Sequence, residues 1–126
     1  MPNFLADTSL IVDLINDRND RGNFVRQLLK PGDTVGYCAI NLIEVYSGMR
    51  TGEEEITEAL FTRLLYYEAT PEIARAAGRL RFDWRRNGQS LSLADATLAA
   101  VCLHNNLTLL TDNRKHFPML QLPALP

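Results

Sequence analysis

Apolar residues recur along this chain with two spacings, and the alternation between the two outlines a fold. The run FLA (4–6) reads as a short strand. TSLIVDLIND then spaces its apolar positions as an amphipathic helix, with Thr8 or Ser9 as N-cap. NDRNDRGN (16–23) is punctuated as a surface loop. NFVRQLLK predicts a second helix, stopped by Pro31-Gly32. TVGYCA (34–39) is rich in β-formers and predicts a strand. INLIEVYSGMR predicts a helix, and TGEEEITEALFTRL another, with Thr51 and Glu54 at capping-box spacing. LLYYEA reads as a strand. Thr70-Pro71 opens a long helix that stops near Asn87-Gly88. A further helix runs from Ser92 to about Asn105, LTLLT (107–111) reads as a strand, and PMLQLP (118–123) has room for a last short one.

Strands alternating with helices predict an α/β fold with a mostly parallel central sheet. At 126 residues the chain suits one domain, 1–126, with a single core. Parallel sheets of this kind place ligands beyond the carboxyl ends of their strands. That edge is where chemistry is to be sought.

Composition narrows the classes. The apolar fraction is 46% and the charged fraction 22%, ordinary globular values that argue against disorder. No apolar run reaches membrane-spanning length, and MPNFLADTSL lacks a charged segment followed by a long apolar one. A soluble cytoplasmic protein with no membrane association is therefore expected. A net charge of −2 excludes a uniformly basic nucleic-acid binder but leaves room for a local basic patch. Cys38 and Cys102 are isolated among apolar residues and read as buried thiols. His104 and His116 lack zinc-ligand spacing.

Four acidic positions stand where the predicted elements could bring them together. Asp7 follows the strand FLA and precedes a helix. Glu44 lies in AINLIEVYSGM, where a helical wheel sets Ile40, Ile43 and Ser47 on its face and so turns it inward. Asp95 stands in the first turn of its helix, three residues after Ser92. Asp112 and Asn113 directly follow the strand LTLLT. Taken singly, helix capping explains Asp7 and Asp95 as well as a ligand role does. A salt bridge explains Glu44 equally, and a turn explains Asp112 or Asn113. A parallel sheet can gather all four at one edge. Carboxylates gathered there repel one another unless a divalent cation neutralises them, and oxygen ligands without His or Cys suit Mg²⁺ or Mn²⁺. Such a site fits metal-assisted phosphodiester hydrolysis.

At this point the chain resembles a PIN domain, specifically the VapC-type toxin of VapBC toxin–antitoxin systems. The residues that carry the resemblance are FLADTSLIVDLI, AINLIEVYSGMR and GQSLSLADATLAAVCLHNNLTLLTDNRKHF, in that order and spacing, over nearly the whole chain. The resemblance implies a three-layer α/β/α domain that cleaves RNA with Mg²⁺ or Mn²⁺ and so inhibits translation. It implies that Asp7, Glu44 and Asp95 are catalytic metal ligands. The family's fourth position falls on Asn113, while the acid here is one place earlier, at Asp112, which stands as the alternative catalytic or water-mediated ligand. Thr8, Ser9 and Thr111 become candidate donors orienting the carboxylates. The resemblance also implies a VapB-like antitoxin as partner and assembly as a homodimer or a toxin–antitoxin hetero-oligomer. The apolar positions of ITEALFTRLLYY serve either that contact or the core.

For RNA grip, Arg75, Arg79 and Arg86 form a stripe on the long helix beside Phe82, opposite an apolar face of Ile73, Ala76, Ala77, Leu80 and Trp84. A merely solvated face explains the stripe as well. Arg114 and Lys115 lie nearer the acidic positions. A haloacid-dehalogenase-like phosphatase is disfavoured because Ser9 stands where its second aspartate belongs. A receiver domain is disfavoured because Asp7 has no acidic neighbour and LTLLTDN supplies no lysine. A DNA-directed PIN nuclease and a non-catalytic PIN-like module are the nearer alternatives.

Overall fold

The computed structural model describes residues 3–120. Four strands, β1 (Asn3–Ala6), β2 (Thr34–Cys38), β3 (Leu65–Tyr67) and β4 (Thr108–Leu110), form one sheet in the order β3-β2-β1-β4. All three pairings are parallel, with Leu5 beside Gly36 on one side and Leu109 on the other. The connections carry α1 (Thr8–Ile15), α2 (Arg21–Leu28), α3 (Ala39–Ser47), α4 (Glu54–Phe61), α5 (Pro71–Arg86) and α6 (Leu93–Asn105). A 3₁₀ turn, Arg114–His116, follows β4. Of the last predicted strand, Pro118 to Leu120 form turns instead, and 121–123 lie outside the described residues.

Side chains alternate across the sheet and build a layer on each face. Leu5, Cys38 and Leu109 pack with Ile73 and Ala77 of α5 and with the apolar middle of α6. Phe4, Ala6, Val35 and Leu110 pack with Leu10 and Ile11 of α1, Val45 of α3 and Phe61 of α4. The result is the expected three-layer α/β/α arrangement. α6 buries Ala96 and every residue from Leu98 to Cys102, which is why its sequence lacks a polar stripe.

The strand order fixes where a ligand can go. From β1 the chain steps to β2 and then β3, and the crossover through α5 and α6 returns past β1 to β4. The sheet therefore switches direction at β1, and the carboxyl end of that strand is where sheets of this kind bind ligands. The residue placed there is Asp7.

Three local expectations need correction. The N-cap of α1 is Asp7 itself, whose carboxylate accepts the Thr8 N–H at 2.8 Å. α2 begins at Arg21, inside the segment read as a surface loop, and Arg21 is buried. The backbone of Asp17, Asn19 and Asp20 is left-handed, which Asn and Asp tolerate better than most residues, so the chain turns sharply enough to start the helix early. The capping box at Thr51 does not form. Gly52 has φ +89°, outside the helical region, so α4 starts only at Glu54. The caps of α5 and α6 form as expected: Thr70 Oγ1 accepts the Ile73 N–H and Ser92 Oγ accepts the Asp95 N–H.

Candidate active site

Asp7 is held from three sides. Its N–H donates to the Leu110 carbonyl at 2.9 Å, which carries the β1–β4 ladder one step past the strands. Its carboxylate accepts the Thr8 N–H with one oxygen and the Thr111 hydroxyl, at 2.5 Å, with the other. Thr111 is buried, and its hydroxyl in turn accepts the Asn113 N–H at 2.9 Å. That acceptance aims the hydroxyl proton at Asp7. Burial pushes the Asp7 carboxyl above its usual range, and the Asp95 and Glu44 carboxylates push it the same way. The hydrogen bonds from Thr111 and Thr8 act against both.

Glu44 is anchored by a second relay. Asn41, fully buried, accepts the Cys38 N–H at 2.8 Å with its side-chain oxygen. Its amide nitrogen donates to the Ala6 carbonyl at 3.2 Å and to the Thr8 hydroxyl at 3.1 Å. The Thr8 hydroxyl donates onward to Glu44 at 2.6 Å. One asparagine thus ties the ends of β1 and β2 to the carboxylate. The inward orientation expected for Glu44 is not what the helix adopts. Asn41 and Val45 are the buried positions of α3, while Glu44, Ile43 and Ser47 are exposed. A buried Glu44 would cost the desolvation of its charge; here it stays exposed, with its carboxylate held by the Thr8 hydroxyl. Ser9 Oγ is buried without a hydrogen-bond partner.

Asp95 enters from the first turn of α6. Ser92 caps that helix with its hydroxyl, so the Asp95 carboxylate is spared for tertiary contacts, and it lies 3.6 Å from Nδ1 of the largely exposed His116. Asp112 behaves differently from the other three acids. Its carboxylate is bound to Arg21 at 2.5 Å, and Arg21 also lies 3.8 Å from Asp13. Asn113 is exposed and uses its N–H on Thr111. Among the described residues no three His, Cys, Asp or Glu side chains are gathered tightly enough to hold an ion by themselves.

Of the basic residues, Lys115 lines a cleft of about 580 Å³ together with Asp95 and His116. Arg114 is exposed at the start of the same 3₁₀ turn. The arginine stripe is not gathered there. Arg79 borders a separate hollow with Leu103 and His104, and His104 is nine residues and so ~14 Å along α6 from Asp95. Arg75 is a further turn back along α5 and is exposed. Arg86 lies over the ring of Phe82, 5.7 Å from its centre. Ala76, read as core, is exposed and lines the Arg79 hollow. In ITEALFTRLLYY, Phe61 belongs to the core while Ile56, Leu65 and Tyr66 are exposed.

Asn41 and Arg21 are the two contributors that sequence reasoning missed. Asn41 stands three residues after the strand end at Cys38, the spacing at which a side chain can reach back to the N-cap N–H. Arg21 carried no such signal, because its acidic partner at Asp112 is 91 residues away.

A parallel α/β domain with a buried aspartate at its switch point defines a class of fold, and the sequence comparison gives the family. The chain belongs to the PIN-domain family, which it matches over residues 4–119. Among its relatives it is similar to the VapC-type ribonucleases. It is 29% identical to Ribonuclease VapC19 of Mycobacterium tuberculosis over 115 residues, 91% of this chain and 92% of that one. It is 35% identical to Ribonuclease VapC10 of the same organism over 89 residues, 68% of this chain and 67% of the relative. The fold is also that of VapBC2 from Rickettsia felis, solved bound to a DNA fragment from its promoter. That similarity has a TM-score of 0.82, 22% identity, and coverage of 98% of this chain and 99% of the other. Among the described residues no helix is long and apolar enough to cross a membrane.

Proposed function

We propose that this chain is a metal-dependent endoribonuclease, the toxin half of a toxin–antitoxin pair. The observation that carries the chemistry is Asp7. It is buried at the switch point with its pKa raised, and the Glu44 and Asp95 carboxylates add to the rise. Like charges facing a desolvated carboxylate are the environment a divalent cation relieves. The donor set fits Mg²⁺ or Mn²⁺, which bind few carboxylates and keep waters, so a looser grouping than a closed protein cage suffices. Asp7, Asp95 and Glu44 are the residues that would hold the ion. When bound, it supplies Lewis acidity toward the scissile phosphate and a more acidic water.

The chain's own residues set the geometry. Thr111 and Thr8 each accept an N–H and donate to a carboxylate, so Asp7 and Glu44 keep fixed orientations. Asp112, bound to Arg21, holds the segment after β4 against α2 and so supports Thr111 from behind. Lys115 and Arg114 lie on the side where a polyanion would approach. RNA as substrate and an antitoxin as partner follow from the ribonuclease relatives and from the VapBC complexes that share the fold.

The experiment is cleavage of RNA with Mg²⁺ or Mn²⁺, with EDTA, and with Asp7→Asn and Asp95→Asn. Activity is expected only in the wild type with metal. Undiminished cleavage by either variant would sink the assignment.

A further inference from the structure

The cleft beside Asp95 is not needed to hold Asp7, Glu44 or Asp95, yet it is larger than the other hollows described here. It opens between the end of α5, the loop into α6 and the 3₁₀ turn after β4. Its volume of about 580 Å³ falls in the range of small-ligand sites, ~300–1,000 Å³. Trp84, Gln89, Ser90, Asp95, Lys115 and His116 are among its walls.

We infer that this cleft is a subsite for one unpaired nucleotide of the RNA strand, next to the phosphate that is cut, with Trp84 as the stacking platform. The inference rests on the nuclease reading of Asp95. Each wall offers what a nucleotide needs. Trp84 is half-buried: part of its indole packs on the core beside α6, which fixes the ring, and the rest faces the cleft. A pre-oriented aromatic stacks any base at little entropic cost. Gln89 and Ser90 present an amide and a hydroxyl, groups that hydrogen-bond base edges. Lys115 and His116 stand beside Asp95, where the strand's phosphate must pass to reach the site. An aromatic with basic neighbours in a groove is the chemistry by which proteins hold single strands. Phe82, the exposed aromatic of α5, is already covered by Arg86.

The test uses the protein's own reporter, since Trp84 is the single tryptophan of the chain. Short single-stranded RNA is titrated into the Asp7→Asn chain, which leaves the strand uncut. Binding is followed by anisotropy of a labelled strand, and stacking by Trp84 emission with an unlabelled one. Saturable quenching that tracks binding is expected, and it should weaken when the strand carries an abasic nucleotide. Trp84→Ala should weaken binding roughly tenfold and Trp84→Phe much less. Because Trp84 also packs on the core, Gln89→Ala is the second variant, expected to weaken binding without a change in melting temperature. If the strand binds and Trp84 emission does not move, the subsite is wrong. If the wild type cuts RNA and Trp84 stays silent, the nuclease reading survives and the subsite falls. If Trp84 responds while no RNA is cut with Mg²⁺ or Mn²⁺, the nuclease reading falls and the cleft is a nucleotide-binding site with no cut phosphate beside it. If RNA is neither bound nor cut, both fall.

Discussion

Replacing Asp7 by asparagine is expected to stabilise the metal-free protein while abolishing cleavage. Burial raises the Asp7 pKa, so the folded chain keeps this proton where the unfolded chain, near 3.8, has released it. Its contribution to stability therefore falls as pH rises through the folded value, and the full penalty is present at neutral pH. Asparagine removes the charge and can still accept the Thr8 N–H. A melting temperature higher by a few degrees at neutral pH, with the gap closing under acid, is the expected outcome. Equal melting at all pH values would contradict it. Thr111→Val should act in the opposite sense at the same carboxylate. It keeps the volume and removes the hydroxyl donated to Asp7, so the Asp7 pKa rises further and cleavage drops by about 10–100-fold. Thr111→Ser should restore most of the activity; a Val variant as active as the Ser variant would show the relay to be idle.

At the scale of elements, β2 and β3 crowd together at Gly36. A Cβ there would stand 2.3 Å from the Tyr67 ring and 2.8 Å from the Leu65 carbonyl, so β2 and β3 can pair at this spacing only around a glycine. Gly36→Ala is expected to cost about 1–3 kcal/mol, read from urea unfolding. Strands and the two long helices were legible because apolar runs and caps are local signals: Thr70-Pro71 and Ser92 mark helix starts that form as written. The starts of α2 and α4 were not. One depends on the left-handed backbone of Asp17, Asn19 and Asp20, and the other on a left-handed Gly52 inside a good capping box. Asp7, Asp95 and Asp112 could be picked out for the same local reason, since each follows a strand or opens a helix, whereas Glu44 was picked out only by its place on a helical wheel. Their supports were not, because Asn41 to Ala6 and Arg21 to Asp112 are contacts that only the tertiary fold creates. A helical wheel fixes which residues share a face, but not which face is buried, and this is why Glu44 came out exposed.

For the whole molecule, both thiols lie inside the layer between the sheet and α5–α6. Burial pushes the Cys102 thiol up to about 12 and raises Cys38 as well. Neither should react with iodoacetamide at mildly alkaline pH while the chain is folded, and mass spectrometry should find both labelled only after denaturant is added. Rapid labelling of the native protein would mean that this layer opens. Divalent ions give a second global readout. Mn²⁺ that binds only the folded state raises the melting temperature with its concentration, and this shift should vanish in Asp95→Asn.

The brace on Asp7 also has a meaning in time. Its partner Thr111 is made 104 residues later, and β4 pairs beside β1 only once that segment exists. A growing chain that already carries Asp7, Glu44 and Asp95 therefore lacks the strand that orients the first of them. Ribosome-bound fragments that end before β4 would be harmless to the RNA around them, and the destructive activity would switch on only once β4 and Thr111 have been made and have paired beside β1.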